Sequence, residues 1–265
     1  MNSESASIRP AWLALPVIAA LIGLWTQGPI AQWSDYHAFA DTRSWLGLPN
    51  AANVLSNLPF ALVACLGLWR LPNSILPTAA RLPWLVLCVS LLFTAAGSAL
   101  YHWAPNNAAL VADRIPIAWA CVALLCAFLG ERADPRWAGP APLGVALLLG
   151  TAAVAWWWFT EQRGRGDLRP YLAVQFLPML LVPVALLMKL PTRHAGAVPA
   201  SAWWAVLGWY GAAKVMELAD AWVLSAIHIS SGHTLKHLLA AVGAAWIVAA
   251  ATRPAPPAGG AGQLR

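Results

Sequence analysis

The sequence predicts an all-α fold, a polytopic bundle of transmembrane helices, and three observations predict it. Of its 265 residues 60% are hydrophobic and only 10% are charged, against roughly a quarter charged in an average soluble domain. The mean hydropathy is +0.63. Eight stretches are apolar enough and near enough to 20 residues to cross a bilayer: 11–27, 51–71, 82–103, 107–130, 142–160, 171–189, 201–225 and 233–251.

Pro, Gly and charged residues separate these segments, at Leu71-Pro72-Asn73, Pro105-Asn106-Asn107, Asp134-Pro135-Arg136, Gly164-Arg165-Gly166 and from Arg193 to Pro199. No connection is long enough to hold a soluble domain. The 17 tryptophans suit a chain with much surface at the membrane–water boundary. A net charge of +6 raises the question of nucleic acid, but Lys and Arg are scattered through short loops without a basic stripe, which excludes that class of partner. Cys65, Cys88, Cys121 and Cys126 lie in apolar stretches without CxxC spacing and read as small core residues. The first segment follows Arg9 and has no clear small-residue cleavage site before Asp35, so it reads as an uncleaved helix rather than a signal peptide. The Pro- and Gly-rich tail, 253–265, reads as disordered.

Lys/Arg asymmetry orients the bundle. With eight spans, one side carries Arg9, Arg70, Arg81, Arg132, Arg136, Lys189, Arg193, Arg253 and Arg265; the other carries Arg43, Arg163, Arg165 and Arg169. Both termini are therefore expected in the cytoplasm of a cell with a bacterial-type inner membrane. The 28–50 connection and the turns near Pro105 and Ser230 then face outward.

Ionisable side chains inside a span are costly and mark functional sites. Ser98 and His102 lie four apart on one face of the third segment, and Asp113 follows across the Pro105 turn. His233 and His237, again four apart, open the eighth segment, a spacing of about 6 Å along one helix face that lets two imidazoles reach one metal. All five fall at one depth near the outward side. Three histidines with a fourth position left for water is the pattern of a catalytic zinc site. Each residue also has a plainer reading. His102, between Tyr101 and Trp103, suits a membrane interface, and Asp113 beside Arg114 suits an ion pair at a helix start.

These residues carry a resemblance. Gly97-Ser98-Ala99-Leu100-Tyr101-His102, Asp113-Arg114-Ile115-Pro116 and His233-Thr234-Leu235-Lys236-His237 resemble motifs of the alkaline ceramidase family, and Asn53-Val54-Leu55-Ser56-Asn57 resembles the opening of its first core helix. That family belongs to a wider group of seven-helix membrane hydrolases with the adiponectin-receptor and hemolysin-III-like proteins. The resemblance implies a seven-helix catalytic core over 50–252, with 1–49 supplying an extra N-terminal helix and an outward connection. It further implies that His102, His233 and His237 bind Zn²⁺, that Asp113 and Ser98 border the water activated there, and that the substrate is a ceramide-like membrane lipid. Animal ceramidases carry an acidic calcium-binding cluster upstream. Here only Asp35 and Asp41 stand nearby and Asn50 occupies the place of a glutamate, which argues against Ca²⁺.

The seventh segment holds Lys214, Glu217 and Asp220, three apart on one broad face. A Lys214–Glu217 pair fixing helix packing is one reading; orientation of a zinc-bound histidine by Asp220, with Glu217 nearby, is the other. Asn53, Ser56 and Asn57 are expected to hydrogen-bond between helices. His37, His194 and His228 are not expected to be ligands, His228 being the nearest exception. The expected activity is hydrolysis of a linear amide in a long-chain lipid. The alternatives are hydrolysis of another lipid amide or ester, or a receptor or transporter holding a structural zinc. No inverted repeat supports a transporter, and a structural zinc normally has four protein ligands.

Overall fold

The computed structural model describes residues 10–255. A 3₁₀ turn, Pro10–Leu13, leads into α1 (Ala14–Thr26). After a long connection come α2 (Ala51–Leu55), α3 (Leu58–Arg70), α4 (Arg81–Trp103), α5 (Asn107–Arg132), α6 (Pro140–Glu161), α7 (Arg169–Leu187), α8 (Ala200–Leu218), α9 (Asp220–Ile227) and α10 (Gly232–Ala251). Among the described residues β pairing is confined to two isolated bridges, Trp45–Leu48 and Ser74–Pro254.

Six helical stretches are long and apolar enough to cross a membrane: Ala51–Asn73, Thr78–Trp103, Asn107–Arg132, Pro140–Glu161, Arg169–Leu187 and Gly232–Ala251. Two of the eight expected segments differ. The first, Pro10–Thr26, is apolar but short. The seventh, expected as one helix over 201–225, breaks at Ala219 into α8 and α9. The tail is hydrogen-bonded at its start, where Arg253 O accepts from Ile75 N at 2.8 Å and the Arg253 guanidinium donates to Ala197 O at 3.1 Å. The rest of the expected disordered tail, 256–265, and the residues before Pro10 lie outside the described residues.

Leu62, Leu66, Trp69, Leu148 and Leu149 point outward, as a lipid-facing surface requires. Apolar contact alone does not hold helices together in lipid, so close backbone approach and interhelical hydrogen bonds matter more. Both occur where they set the candidate site. A Cβ on Gly97 of α4 would overlap Ala112 O of α5. Pro116 supplies no N–H to that carbonyl four residues back. The two helices therefore meet closely beside Ser98 and Asp113. Likewise a Cβ on Gly232 would overlap Met216 O and come within 2.8 Å of Asp220 Cα, so the start of α10 is seated against the α8–α9 break.

At the opposite end of the bundle Trp203 packs tilted against Trp84 and edge-to-face against Phe128. Arg132 donates to Leu190 O and Val198 O, while Glu131 accepts from Val198 N at 3.1 Å. These bonds fasten the 188–199 connection to α5.

Candidate metal centre

Local geometry places each histidine. His102 occupies the last turn of α4, and Asn50 donates from its side-chain amide to the His102 carbonyl at 2.8 Å, satisfying an acceptor the helix end leaves open. Ser231 caps α10 by accepting from Thr234 N at 3.2 Å, so His233 falls in the first turn and His237 one turn deeper. All three are buried.

Taking one nitrogen from each ring, the ligand atoms of His102, His233 and His237 all lie within 4.8 Å of one another. His102 Nε2 and His233 Nε2 are 3.4 Å apart. Tetrahedral zinc with bonds of about 2.0–2.1 Å separates ligand nitrogens by roughly 3.3 Å. One pair thus already has the required spacing, and the group as a whole is wider than that. Among the described residues this is the one cluster of its kind.

The surroundings fit a metal. Ser56 Oγ donates to Asn53 O at 2.9 Å, so its single proton is committed. It accepts from His237 Nδ1–H at 2.8 Å, which leaves His237 Nε2 bare as a ligand. Asn53 accepts from Thr234 Oγ1 at 2.7 Å. Asn53 and Ser56 therefore bond between helices as expected, whereas Asn57 bonds the Asn53 and Val54 carbonyls beside it.

Ser98, Asp113, Lys236 and His237 share one cavity of about 240 Å³, which continues inward past Leu87 and Ile247. Leu87 to Ser98 and Lys236 to Ile247 each span eleven residues, about 16 Å of helix. The cavity thus joins the polar end to an apolar arm the length of an extended alkyl chain. Asp113 Oδ1 is buried without a hydrogen-bond partner. The Asp113–Arg114 ion pair of the plainer reading does not form: neighbouring residues on a helix project about 100° apart.

Asp220 supports the histidines differently from expectation. Its Oδ1 accepts from His233 N at 2.7 Å and its Oδ2 from Ala40 N at 3.0 Å. It positions the start of α10 through the backbone, not through an imidazole. Glu217 binds Lys214 at 2.6 Å and also Lys236 at 3.0 Å, joining α8 to α10. Lys236 Nζ lies 3.0 Å from His233 Nε2, beside the three imidazoles. The sequence reading quoted Lys236 only as part of the histidine motif; its position three residues after His233, on the same face, was the available signal.

The connection before α2 covers the site. Phe39 packs on His102 and His233 with ring centroids 4.6 and 4.8 Å away. Asn53 holds the connection by donating to Asp41 O. Arg43 binds Asp41 and donates to His228 O and Ile229 O. The Arg43 side-chain hydrogen bonds hold the Asp41 carboxyl below its ordinary value and occupy both its oxygens. The other histidines stand apart. His37 is engaged by Tyr101 OH and Asn107, His194 lies in the 188–199 connection, and His228 ends α9 in a left-handed conformation with φ 56°. Neither a protein-family model nor a curated protein matches this chain.

Proposed function

We propose that this chain is a membrane-embedded zinc hydrolase that cleaves a long-chain lipid amide, such as ceramide, to an amine and a fatty acid. One observation carries the reading: of three buried histidines with metal-binding spacing, His237 lines a cavity that Ser98 and Asp113 also line and that continues into an apolar arm. The motif resemblance to alkaline ceramidases supports it.

His102, His233 and His237 would hold the metal, which supplies a Lewis acid and acidifies a water. Asp113 then takes a proton from the attacking water as it bonds to the carbonyl carbon. The same carboxyl delivers that proton to the nitrogen as the C–N bond breaks, giving the amine and the carboxylic acid, which then loses its remaining proton to solvent. Ser98 donates its hydroxyl proton to the oxygen on which charge develops. The apolar arm between Leu87 and Ile247 takes the acyl chain, and Phe39 shields the imidazoles from the outer aqueous side.

Metal analysis of purified protein, followed by a hydrolysis screen over lipid amides and esters, tests this reading. About one zinc per chain with amide hydrolysis is expected; metal-free protein, or metal-loaded protein inert toward every amide, overturns it. The site is further proposed to face outward. A cytoplasm-only fluorescent reporter fused after Arg253 should then fluoresce, and activity of a periplasm-only reporter there would invert the orientation.

A further inference from the structure

Arg114 is the residue of the cavity for which neither packing nor the proposed hydrolysis accounts. It is only 3% exposed, yet Nε and Nη1 have no hydrogen-bond partner. No carboxylate among the described residues forms an ion pair with it. Arg132, buried to a similar degree, donates to two backbone carbonyls. Leaving a guanidinium buried and unpaired is unfavourable unless something else compensates it.

Aromatic rings compensate part of the cost. The Arg114 guanidinium carbon lies 4.0 Å from the ring centre of Trp157, 5.0 Å from Tyr171 and 5.3 Å from Tyr36. Cation–π contact engages the face of a guanidinium and leaves its in-plane N–H groups free. Those groups form the fork that matches a carboxylate or phosphate. Arg114 lines the same cavity as Ser98, Asp113 and His237, together with Tyr36 and Tyr171. Sequence neighbours on a helix diverge by about 100°, so Arg114 reaches a part of the cavity beside the one that Asp113 faces.

We propose that Arg114 binds an anionic group on the amine half of the substrate, a carboxylate, phosphate or sulfonate close to the scissile nitrogen. This rests on the hydrolase reading for the word substrate, though not for the site itself. The acyl chain fills the apolar arm, the amide lies beside the histidines, and the anion meets the free edge of the Arg114 guanidinium where Tyr36 and Tyr171 also line the cavity. Within the class of long-chain lipid amides proposed above, the preferred member is then an acidic N-acyl amide, and a neutral one such as ceramide is a poorer substrate.

Equilibrium binding to the purified full chain tests the proposal with three probes: N-dodecanoylglycine, N-dodecanoylethanolamine and dodecanoate. The glycine amide should bind about tenfold or more tighter than the neutral ethanolamide. Arg114→Gln should abolish that preference and Arg114→Lys should keep part of it, while dodecanoate should bind Arg114→Gln as it binds the wild type. Equal binding of the two amides to wild-type protein overturns the proposal. So does a preference that survives Arg114→Gln, or a loss of dodecanoate affinity matching that of the glycine amide, which would make the site one for the fatty-acid carboxylate. If Arg114→Gln does not fold, the wild-type ratio and Arg114→Lys decide. Turnover is followed in the same samples. A preserved anion preference in protein that hydrolyses neither of these amides nor any amide of the wider screen refutes the hydrolase reading and leaves the Arg114 site standing.

Discussion

Aspartate and arginine meet in two different ways in this molecule. Asp41–Arg43, Asp134–Arg136 and Asp167–Arg169 share one arrangement: the aspartate accepts from the backbone N–H two residues on and pairs with that residue's guanidinium. None lies within a long helix: the first two sit in connections and the third straddles the start of α7, which Arg169 opens, so a turn lets residues two apart face each other. Asp113 and Arg114 are adjacent within α5, where the helix keeps them apart, and both carry buried polar atoms without partners. The paired sets tie the chain to itself, while the unpaired residues line the cavity. The difference shows that whether an aspartate and an arginine pair here is set by the backbone beneath them.

The largest effect that would sharpen this contrast is at the histidines. His237→Ala should lose the metal, seen as a fall in zinc content to near zero and with it all turnover. Retention of one zinc per chain would break the ligand assignment. Asp113→Asn should keep the metal and lower turnover by about 10²–10⁴-fold, the usual scale for losing a proton-transfer group. A wild-type rate in Asp113→Asn would return Asp113 to the structural class with Asp41 and Asp167.

The contrast also explains what the sequence disclosed. Long apolar runs and the i, i+4 histidine pair are local patterns, so the spans and His233 with His237 were legible, and depth along the helices added His102. The rest depends on partners distant in the chain. The break at Ala219 has no Pro or Gly to announce it; Asp220 there bonds Ala40 and His233, and the missing Cβ of Gly232 admits α10 against it. The Arg114 box draws Tyr36, Trp157 and Tyr171 from three separate segments. Phe39 reaches the histidines from a connection that carries no periodic signal at all.

Among the paired sets, Asp167 should matter most to stability. Its oxygens accept from Arg169, Ile30 N and Trp156 Nε1, joining α6, α7 and the segment after α1. Burial pushes the Asp167 carboxyl up, but the Arg169 side-chain and backbone hydrogen bonds outweigh it and hold it at about 2 rather than 3.8. A depressed carboxylate contributes stability above its unfolded value and loses it as pH falls toward its folded value. Asp167→Asn should therefore lower the thermal midpoint on the order of 5 °C near neutral pH. That gap should close between pH 3.8 and about 2. A gap independent of pH would mean that shape, not charge, makes the join.

The smallest effect is expected at Asp134, and it is the sharpest test of whether motif or surroundings governs these pairs. Asp134 and Arg136 repeat the geometry of Asp167 and Arg169, with a 2.9 Å ion pair in each. Their side chains, however, are 39% and 90% exposed, against 5% and 15% for the buried counterpart. Water solvates both charges when the exposed pair separates, so its net contribution is small and screened by salt. The Asp134 hydrogen bond to Arg136 N is replaceable by water in the same way. Asp134→Ala should leave the thermal midpoint unchanged within measurement error, at low and at high salt. If it costs as much as Asp167→Asn, the shared turn itself is what stabilises the chain, and burial does not separate the two.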